Sequence, residues 1–451
     1  MKLVVVGAGE VGSYLSAQLS EQGHDVTVIE QNPETCRQLD EMLNVRVVRG
    51  NGSSASILKQ AEVQHSTFFM AMTSDDQSNL IASSLAKSLG AETVIARIHD
   101  STYADTSHFD YRAHFGIDIL INPEMLSAIE LAKSIRNPAR VAVENFARGQ
   151  IEAQRFQVDP KSKYVGRSLR DIKLPPQVKI GYITRGDEQD VPTADTVLEA
   201  GDLLTVFGGT NELYNLRAKV DPESTGQSRR VAIFGGSEVA VSLLRLLSGP
   251  RFKVRVIEKR TEKSERLAAL FPNATIIQGD GTSLRLMEEE QIGSVDYFVA
   301  STSDDERNIL TAVQAHKLGA RHVQAIITKS DYEDILLNMR SSLGIETIVS
   351  PRVVTAKEVM RYLSKDAYVE LFNFPQHSGR ILEIRVAAKS AAAGKELREI
   401  EWPPHCVVVA LLHEHQATVP GATDKILADD RVVVITREEN IRDLLRLLRK
   451  H

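Results

Sequence analysis

The chain repeats itself. Displaced by about 228 positions, its second half reads onto its first. Val4-Val5-Val6-Gly7-Ala8-Gly9-Glu10-Val11-Gly12 returns as Ala232-Ile233-Phe234-Gly235-Gly236-Ser237-Glu238-Val239-Ala240. Val28-Ile29-Glu30 returns as Val256-Ile257-Glu258, and Thr73-Ser74-Asp75-Asp76 as Thr302-Ser303-Asp304-Asp305. The correspondence is still present at Leu174-Pro175-Pro176 and Trp402-Pro403-Pro404. A duplication this complete leaves no segment for the separate substrate domain that most nucleotide-dependent enzymes need. It implies a symmetric, ligand-sensing assembly.

Size and composition narrow the reading further. A length of 451 residues suggests three or four domains, and each half is longer than one nucleotide-binding domain, so two domains per half are expected. The hydrophobic fraction of 42% and charged fraction of 25% are those of an ordinary globular protein, which excludes a disordered or collagen-like chain. A net charge of −6 argues against a nucleic-acid partner, because a polyanion favours a concentrated basic surface. The longest apolar runs, such as Cys406 to Leu412, fall far below the roughly 20 residues of a membrane helix. No secretory signal fits the N-terminus, and Cys36 and Cys406 have no CxxC partner, so a reducing cytoplasm is expected.

Short apolar runs at Lys2–Val6, Asp25–Ile29, Val45–Val48, Phe68–Met72, Val94–Ile98 and Asp118–Ile121 alternate with helical stretches such as Val11–Gln22 and Asn79–Leu89. This alternation predicts a Rossmann-like, doubly wound parallel sheet covered on both faces. After Pro138 the texture changes to short strands separated by Gly, Pro and Asp turns, the mark of a small α+β domain. The expected boundaries are 1–122 for the first nucleotide-binding domain, 138–220 for the first small domain and 221–228 for a linker. The second copies are expected at 229–350 and 366–451.

Gly7-x-Gly9-x-x-Gly12 leaves the first strand and opens the first helix, and the acidic Glu30 closes the second strand. Gly7 permits the tight turn, Gly9 lacks the Cβ that would block a phosphate, and Gly12 allows close packing. The helix N-terminus offers unpaired N–H groups and partial positive charge to phosphates. Glu30 suits both ribose hydroxyls of NAD, ATP or ADP, and its charge repels a 2′-phosphate. Ser74-x-x-Gln77 and Ser303-x-x-Glu306 look like capping boxes, yet they also fall where a doubly wound sheet borders its ligand, so Thr73 and Ser74 suit either role. Arg97, a cation in the apolar strand Ile95-Ala96-Arg97-Ile98, needs a partner. A phosphate serves, and so does a salt bridge to Glu30, Asp75 or a neighbouring subunit.

The second copy departs from this pattern: Gly9 becomes Ser237, Gly12 becomes Ala240 and Arg97 becomes Ile326, while Glu258 and the first glycine survive. A weaker or different ligand site and a vestigial one both fit. His413-x-His415 reads as a polar hairpin tip in preference to a metal site. Arg442, Arg446, Arg449 and Lys450 read as a solvated helix face. No Tyr is followed four residues later by Lys, and no triad or metal constellation is evident.

The GAGEVG loop, Glu30, the Gly50-Asn51-Gly52-Ser53 turn, Thr73-Ser74-Asp75-Asp76 and Arg97, duplicated with small trailing domains, together resemble the TrkA family. Its members are the cytosolic regulatory subunits of bacterial Trk potassium uptake systems, built from tandem RCK (regulator of potassium conductance) domains. The resemblance covers the whole chain. It implies a non-enzymatic homotetrameric ring, peripheral on the inner face of the plasma membrane, acting on a TrkH-like or TrkG-like potassium-translocating subunit. NAD or NADH, with ATP or ADP at the same sites, would bias channel opening. By position, the first site would comprise Gly7, Ala8, Gly9, Glu10, Val11, Glu30, Thr73, Ser74 and Arg97. The second would comprise Gly235, Gly236, Ser237, Glu238, Val239, Glu258, Thr302 and Ser303. The alternative is an NAD-dependent dehydrogenase, which fits the first domain but leaves the duplicated small domains unexplained.

Overall fold

The computed structural model describes the chain except residues 106–107, 137–150, 173, 176, 187, 221–227, 364–367, 374–378, 414–415 and 450–451. The expected domain boundary at 138, most of the 221–228 linker, the start of the second small domain at 366, His415 and Lys450 therefore lie outside the described residues.

In chain order the first copy contains β1 (Lys2–Val6), α1 (Glu10–Glu21), β2 (Asp25–Glu30), α2 (Pro33–Met42), β3 (Arg46–Arg49), α3 (Ala55–Gln60), β4 (Phe68–Ala71), α4 (Asp76–Leu89), β5 (Thr93–Arg97), α5 (Tyr111–His114), β6 (Ile119–Ile121) and α6 (Pro123–Arg136). Its small domain follows with β7 (Glu152–Gln157), β8 (Val178–Arg185), β9 (Glu188–Asp190), β10 (Leu203–Gly208) and α7 (Thr210–Val220). The second copy runs β11 (Arg229–Phe234), α8 (Glu238–Leu246), β12 (Phe252–Glu258), α9 (Thr261–Leu270), β13 (Thr275–Gln278), α10 (Leu284–Glu289), β14 (Tyr297–Ala300), α11 (Asp305–Leu318), β15 (His322–Ile326), α12 (Ser330–Leu343), β16 (Thr347–Val349) and α13 (Pro351–Leu363). It closes with β17 (Val369–Asn373), β18 (Arg380–Arg385), β19 (Cys406–His413), β20 (Gln416–Thr418), β21 (Arg431–Thr436) and α14 (Ile441–Arg449).

Both large sheets are six-stranded and parallel, in the orders β3-β2-β1-β4-β5-β6 and β13-β12-β11-β14-β15-β16. Strands buried on both faces carry near-continuous apolar runs, as in Leu3–Val6 and Ala232–Phe234. In each sheet the strand order reverses between the first and fourth strands. The ligand crevice of an open α/β sheet lies outside the carboxyl ends at that reversal.

The chain divides into two compact units that pair like with like across the repeat. Residues 1–132 and 229–363 form one unit, and 133–228 with 364–451 form the other. In the first unit α13 leaves its own sheet and packs on α1. Ala356, Val359 and Leu363 join the core of Leu15, Leu19, Val5 and Val28. In the second unit two antiparallel sheets, β7-β10-β8-β9 and β17-β18-β21-β19-β20, share one core. Tyr182, Phe207 and Val191 of the first copy there meet Ile381, Val409 and Ile435 of the second. At Gly181 a Cβ would stand 2.3 Å from Ile435 Cδ1 and 2.6 Å from Phe207 Cε2, so any larger residue on β8 would have to displace both side chains. Asp190 binds the Arg437 guanidinium through both oxygens, at 3.0 and 2.7 Å, and ties the copies at the core's edge.

Lys179 on β8 is the costly residue of this interface. Burial pushes its ammonium down to about 8, with Asp424 acting weakly in the opposite sense. Below about pH 8 the group is charged in folded and unfolded chains alike, and the folded state carries the whole desolvation cost. The cost fades as pH rises from about 8 to the ordinary value of 10.5. Lys179→Met is therefore expected to raise the unfolding midpoint of this unit at pH 7. The gain should be about 1–2 kcal/mol after allowing for partial exposure, and it should shrink at pH 9.5. A calorimetric scan at both pH values checks the sign. An equal gain at both would assign the effect to packing.

Candidate functional site: the first crevice

A crevice of about 450 Å³ opens at the carboxyl edge of the first sheet, within the usual size range of ligand sites. Gly7, Gly9, Glu10, Val11, Glu30, Thr73, Ser74 and Arg97 line it together with the Gly50–Ser53 turn. Ala8 does not. Its side chain is buried, and its N–H donates to Glu30 Oε2 at 2.7 Å.

The glycine loop has the local logic its sequence suggests. Gly7 sits at φ +89, and a Cβ there would strike Thr73 Cγ2 at 2.8 Å. Gly12 packs on the loop itself, for a Cβ at that position would come within 1.9 Å of the Gly7 carbonyl oxygen. Gly9 differs from both, because a Cβ there would meet nothing within 4 Å. The space it leaves open is the crevice. No side chain caps α1, so its first-turn N–H groups are presented to whatever enters.

Glu30 carries a second duty that its sequence position did not disclose. One carboxylate oxygen accepts from Ala8 N, and the other accepts from Gln31 N and Asn32 N, both at 2.8 Å. It thereby binds the loop after β2 to the loop after β1.

On the opposite side the fully buried Asn79 holds the wall. Its Oδ1 accepts from Thr73 N at 3.0 Å and Thr73 Oγ1 at 2.7 Å. Its Nδ2 donates to the carbonyls of Thr73 and Arg97 at 3.0 and 2.9 Å. Asn308 makes the same four bonds with Thr302 and Ile326. Asp76 accepts from the His99 and Asp100 amides, as Asp305 does from Thr328 and Lys329.

One expectation needs correcting here, and part of one alternative falls away. The helix caps are Asp75 and Asp304, not Ser74 and Ser303: each aspartate is extended and accepts from the N–H three residues on. The Ser78 hydrogen bonds hold Asp75 below the usual carboxylate range. Glu306, which would have closed the second capping box, instead accepts from the Tyr332 hydroxyl and Lys329. Arg97 makes no salt bridge to Glu30 or Asp75. Its Nε is buried without a hydrogen-bond partner among the described residues. Burial lowers its pKa, with the charges of Glu124 and Asp76 opposing. A guanidinium nevertheless stays charged, so the crevice contains a partly desolvated cation with no salt bridge among the described residues. An uncapped helix, an open Cβ position and this cation fit a phosphorylated ligand.

The second crevice satisfies itself. Ser237 caps α8, accepting from Ala240 N at 3.2 Å. A Cβ on Gly236 would meet Leu267 at 2.7 Å and Glu258 at 3.0 Å. Burial raises Glu258, but hydrogen bonds from the Arg260 and Gly236 amides and the Arg260 side chain outweigh it and leave the carboxylate lowered. Glu238 faces Arg266 at 3.8 Å, Val239 is buried and Ser303 is exposed. Of the other sequence candidates, His413 bonds the buried Asp430 at 2.7 Å, as its counterpart Arg185 bonds Asp202. No group of His, Cys, Asp and Glu among the described residues could hold a metal, and no described helix is long and apolar enough to cross a membrane.

Fold and crevice define a tandem protein of the TrkA-N and TrkA-C type. Residues 3–123 and 231–351 match the TrkA-N domain, and 153–221 and 381–449 match the TrkA-C domain. The chain is 30% identical to a Trk system potassium uptake protein TrkA homolog of Archaeoglobus fulgidus over 100% of both chains. It is 31% identical to TrkA homolog 2 of Methanosarcina mazei, again over 100% of both. It belongs to the TrkA family of Trk-system potassium uptake proteins. Among solved structures, the GsuK channel bound to NAD superposes with a TM-score of 0.57 at 15% identity, covering 100% of this chain and 79% of that one. The GsuK RCK domain superposes at 0.56 and 16%, covering 100% and 95%. The fold is therefore the RCK fold.

Proposed function

We propose that this protein is a nucleotide-binding regulatory subunit of a potassium transport system and that the first crevice is its sensing site. The observation that carries this reading is the pairing of an uncapped glycine-loop helix with the half-buried Arg97, whose Nε has no hydrogen-bond partner among the described residues, with Glu30 across the crevice. The ligand is an adenine nucleotide: NAD, NADH, ATP or ADP. Gly7, Gly9, Glu10 and Val11 surround its phosphates, Ala8 fixes the loop through Glu30, and Thr73, Ser74 and Arg97 form the far wall. Its relatives are Trk-system potassium uptake proteins, which supports the transport role, and the GsuK channel has been solved bound to NAD and to ADP. The counterpart residues Gly235, Gly236, Ser237, Glu238, Val239, Glu258, Thr302 and Ser303 form a secondary site of lower affinity, because Ser237 already caps α8 and Ile326 stands where the first crevice has Arg97.

The protein acts by switching and not by catalysis. A ligand moves a gate only as far as it prefers one conformation over the other, and tenfold preference supplies about 1.4 kcal/mol per site. A homotetrameric ring, peripheral on the cytoplasmic face of a TrkH-like or TrkG-like membrane subunit, lets several sites add. Glu30→Gln should weaken ATP, ADP and NADH alike by about tenfold to a hundredfold. Calorimetric titration measures this, and potassium flux in vesicles containing the membrane subunit should lose its nucleotide response in parallel. Steady-state oxidation of NADH by the purified protein, or absence of affinity for all three nucleotides, would overturn the reading.

A further inference from the structure

The two crevices carry their cations on different sides. Arg97, and Arg352 from the second copy, line the first crevice, away from the loop that follows Glu30. In the second copy Ile326 takes the place of Arg97, and the charge appears instead on the stretch that follows Glu258. There the repeat turns Gln31, Asn32, Thr35 and Gln38 into Lys259, Arg260, Lys263 and Arg266. The buried Leu39 and Leu267 coincide in this register, so the two stretches lie alike on their sheets. Glu262 and Glu265, the acids of the same stretch, form no salt bridge among the described residues with any of these cations.

Two of the four cations are held at the glycine loop and its acid. Lys259 is engaged by Asp280 at 2.9 Å, and Arg266 faces Glu238 at 3.8 Å. Arg260 Nε lies 3.4 Å from Glu258 Oε1, beside the carboxylate that in a sheet of this kind meets the ribose hydroxyls. Lys263 Nζ reaches the Gly236 carbonyl oxygen at 3.5 Å, on the loop where the 5′ phosphates of a nucleotide sit. An acid at the end of the second strand ordinarily repels a phosphate on the ribose, and an arginine nearby accommodates one. Glu258 is muted in the first role. It is 5% exposed, and its oxygens accept from the Gly236 and Arg260 amides at 2.7 and 2.8 Å. The exposed Arg260 guanidinium beside it offsets its charge. Glu30 has only the neutral Gln31 and Asn32 in the corresponding places.

Resting on the reading of this crevice as a secondary nucleotide site, we propose that it selects a nucleotide phosphorylated on its ribose as well as at the 5′ end. Arg260 holds the ribose phosphate, and Lys263 holds the 5′ phosphates. Adenine nucleotides with a 2′-phosphate, such as NADPH, and those with a 3′-phosphate share this chemistry. The two copies then answer to different ligands, the first to a free ribose diol and the second to a phosphorylated one.

The test uses the full-length chain and its Gly9→Asp variant, in which a carboxylate occupies the phosphate position of the first crevice, so that the second is titrated alone. Calorimetry compares NADPH with NADH, and adenosine 2′,5′-bisphosphate and 3′,5′-bisphosphate with AMP. The ribose phosphate should tighten binding about tenfold: in NADPH and the 2′,5′-bisphosphate if the 2′ position is read, in the 3′,5′-bisphosphate if the 3′ position is read. Adding Arg260→Gln should remove that gain and change NADH and AMP less than twofold, whereas Lys263→Gln should weaken all five alike. No gain from either ribose phosphate, or a gain that survives Arg260→Gln, would overturn the assignment. A wild type that binds none of the five would overturn the nucleotide reading itself. Should Arg260→Gln fail to fold, the affinity ratios of the Gly9→Asp parent still decide.

Discussion

Asn79→Asp is expected to destabilise the first α/β domain by about 3 kcal/mol or more, although the two side chains share one shape. The amide is wholly buried and fully committed, accepting twice from Thr73 and donating to the carbonyls of Thr73 and Arg97. An aspartate can accept in the same way but has no N–H to offer. Two buried carbonyls would face a carboxylate, and each unmet polar group costs about 1–3 kcal/mol. Protonation relieves the charge but supplies at most one of the two missing donors. Because Asn79 joins the ends of β4 and β5, the loss falls on the crevice wall, and nucleotide affinity should fall with stability. Denaturant unfolding of Asn79→Asp and of its twin Asn308→Asp measures the effect. A shift below about 1 kcal/mol in both would show that these bonds contribute little.

The second large effect separates binding from folding. Gly9→Asp should abolish measurable affinity for ATP, ADP and NADH, a loss of a hundredfold or more, while leaving the unfolding midpoint unchanged or slightly raised. The backbone at Gly9 is already extended, at φ −70 and ψ −170, which any residue adopts. A Cβ there touches nothing, and aspartate is among the best residues at a helix N-cap. The same carboxylate would occupy the phosphate position and repel it. Ser237 gives a milder internal precedent, since its hydroxyl already caps α8. Isothermal titration beside a thermal scan reads both quantities. Affinity within threefold of wild type would place the phosphates elsewhere.

The duplication, both doubly wound sheets, the glycine loop and the acid closing β2 were legible in the sequence because each rests on local spacing. What escaped was non-local. Nothing in Thr355, Ala356, Val359 and Leu363 distinguishes a helix that covers its own sheet from one that covers its twin's. Hence neither the like-with-like pairing nor Arg352 in the first crevice could be read. The caps shifted from Ser74 and Ser303 to Asp75 and Asp304 because serine and aspartate both serve, and only backbone geometry chooses. Asn79 did leave a trace. A polar residue recurs six positions after Thr73 and after Thr302, inside helices, where a solvated side chain would have no reason to return unchanged.

The two small domains complete each other's core. A half-length polypeptide would leave Tyr182 and Phe207 uncovered, along with the flank of α1 that now receives α13. Exposed aromatic and aliphatic surface of that kind draws in a second molecule, and an identical twin supplies the matching face. Carrying both copies on one chain makes a concentration-dependent encounter an obligatory one. The two copies are not equivalent within it: one keeps an open pocket, and the other lends that pocket an arginine.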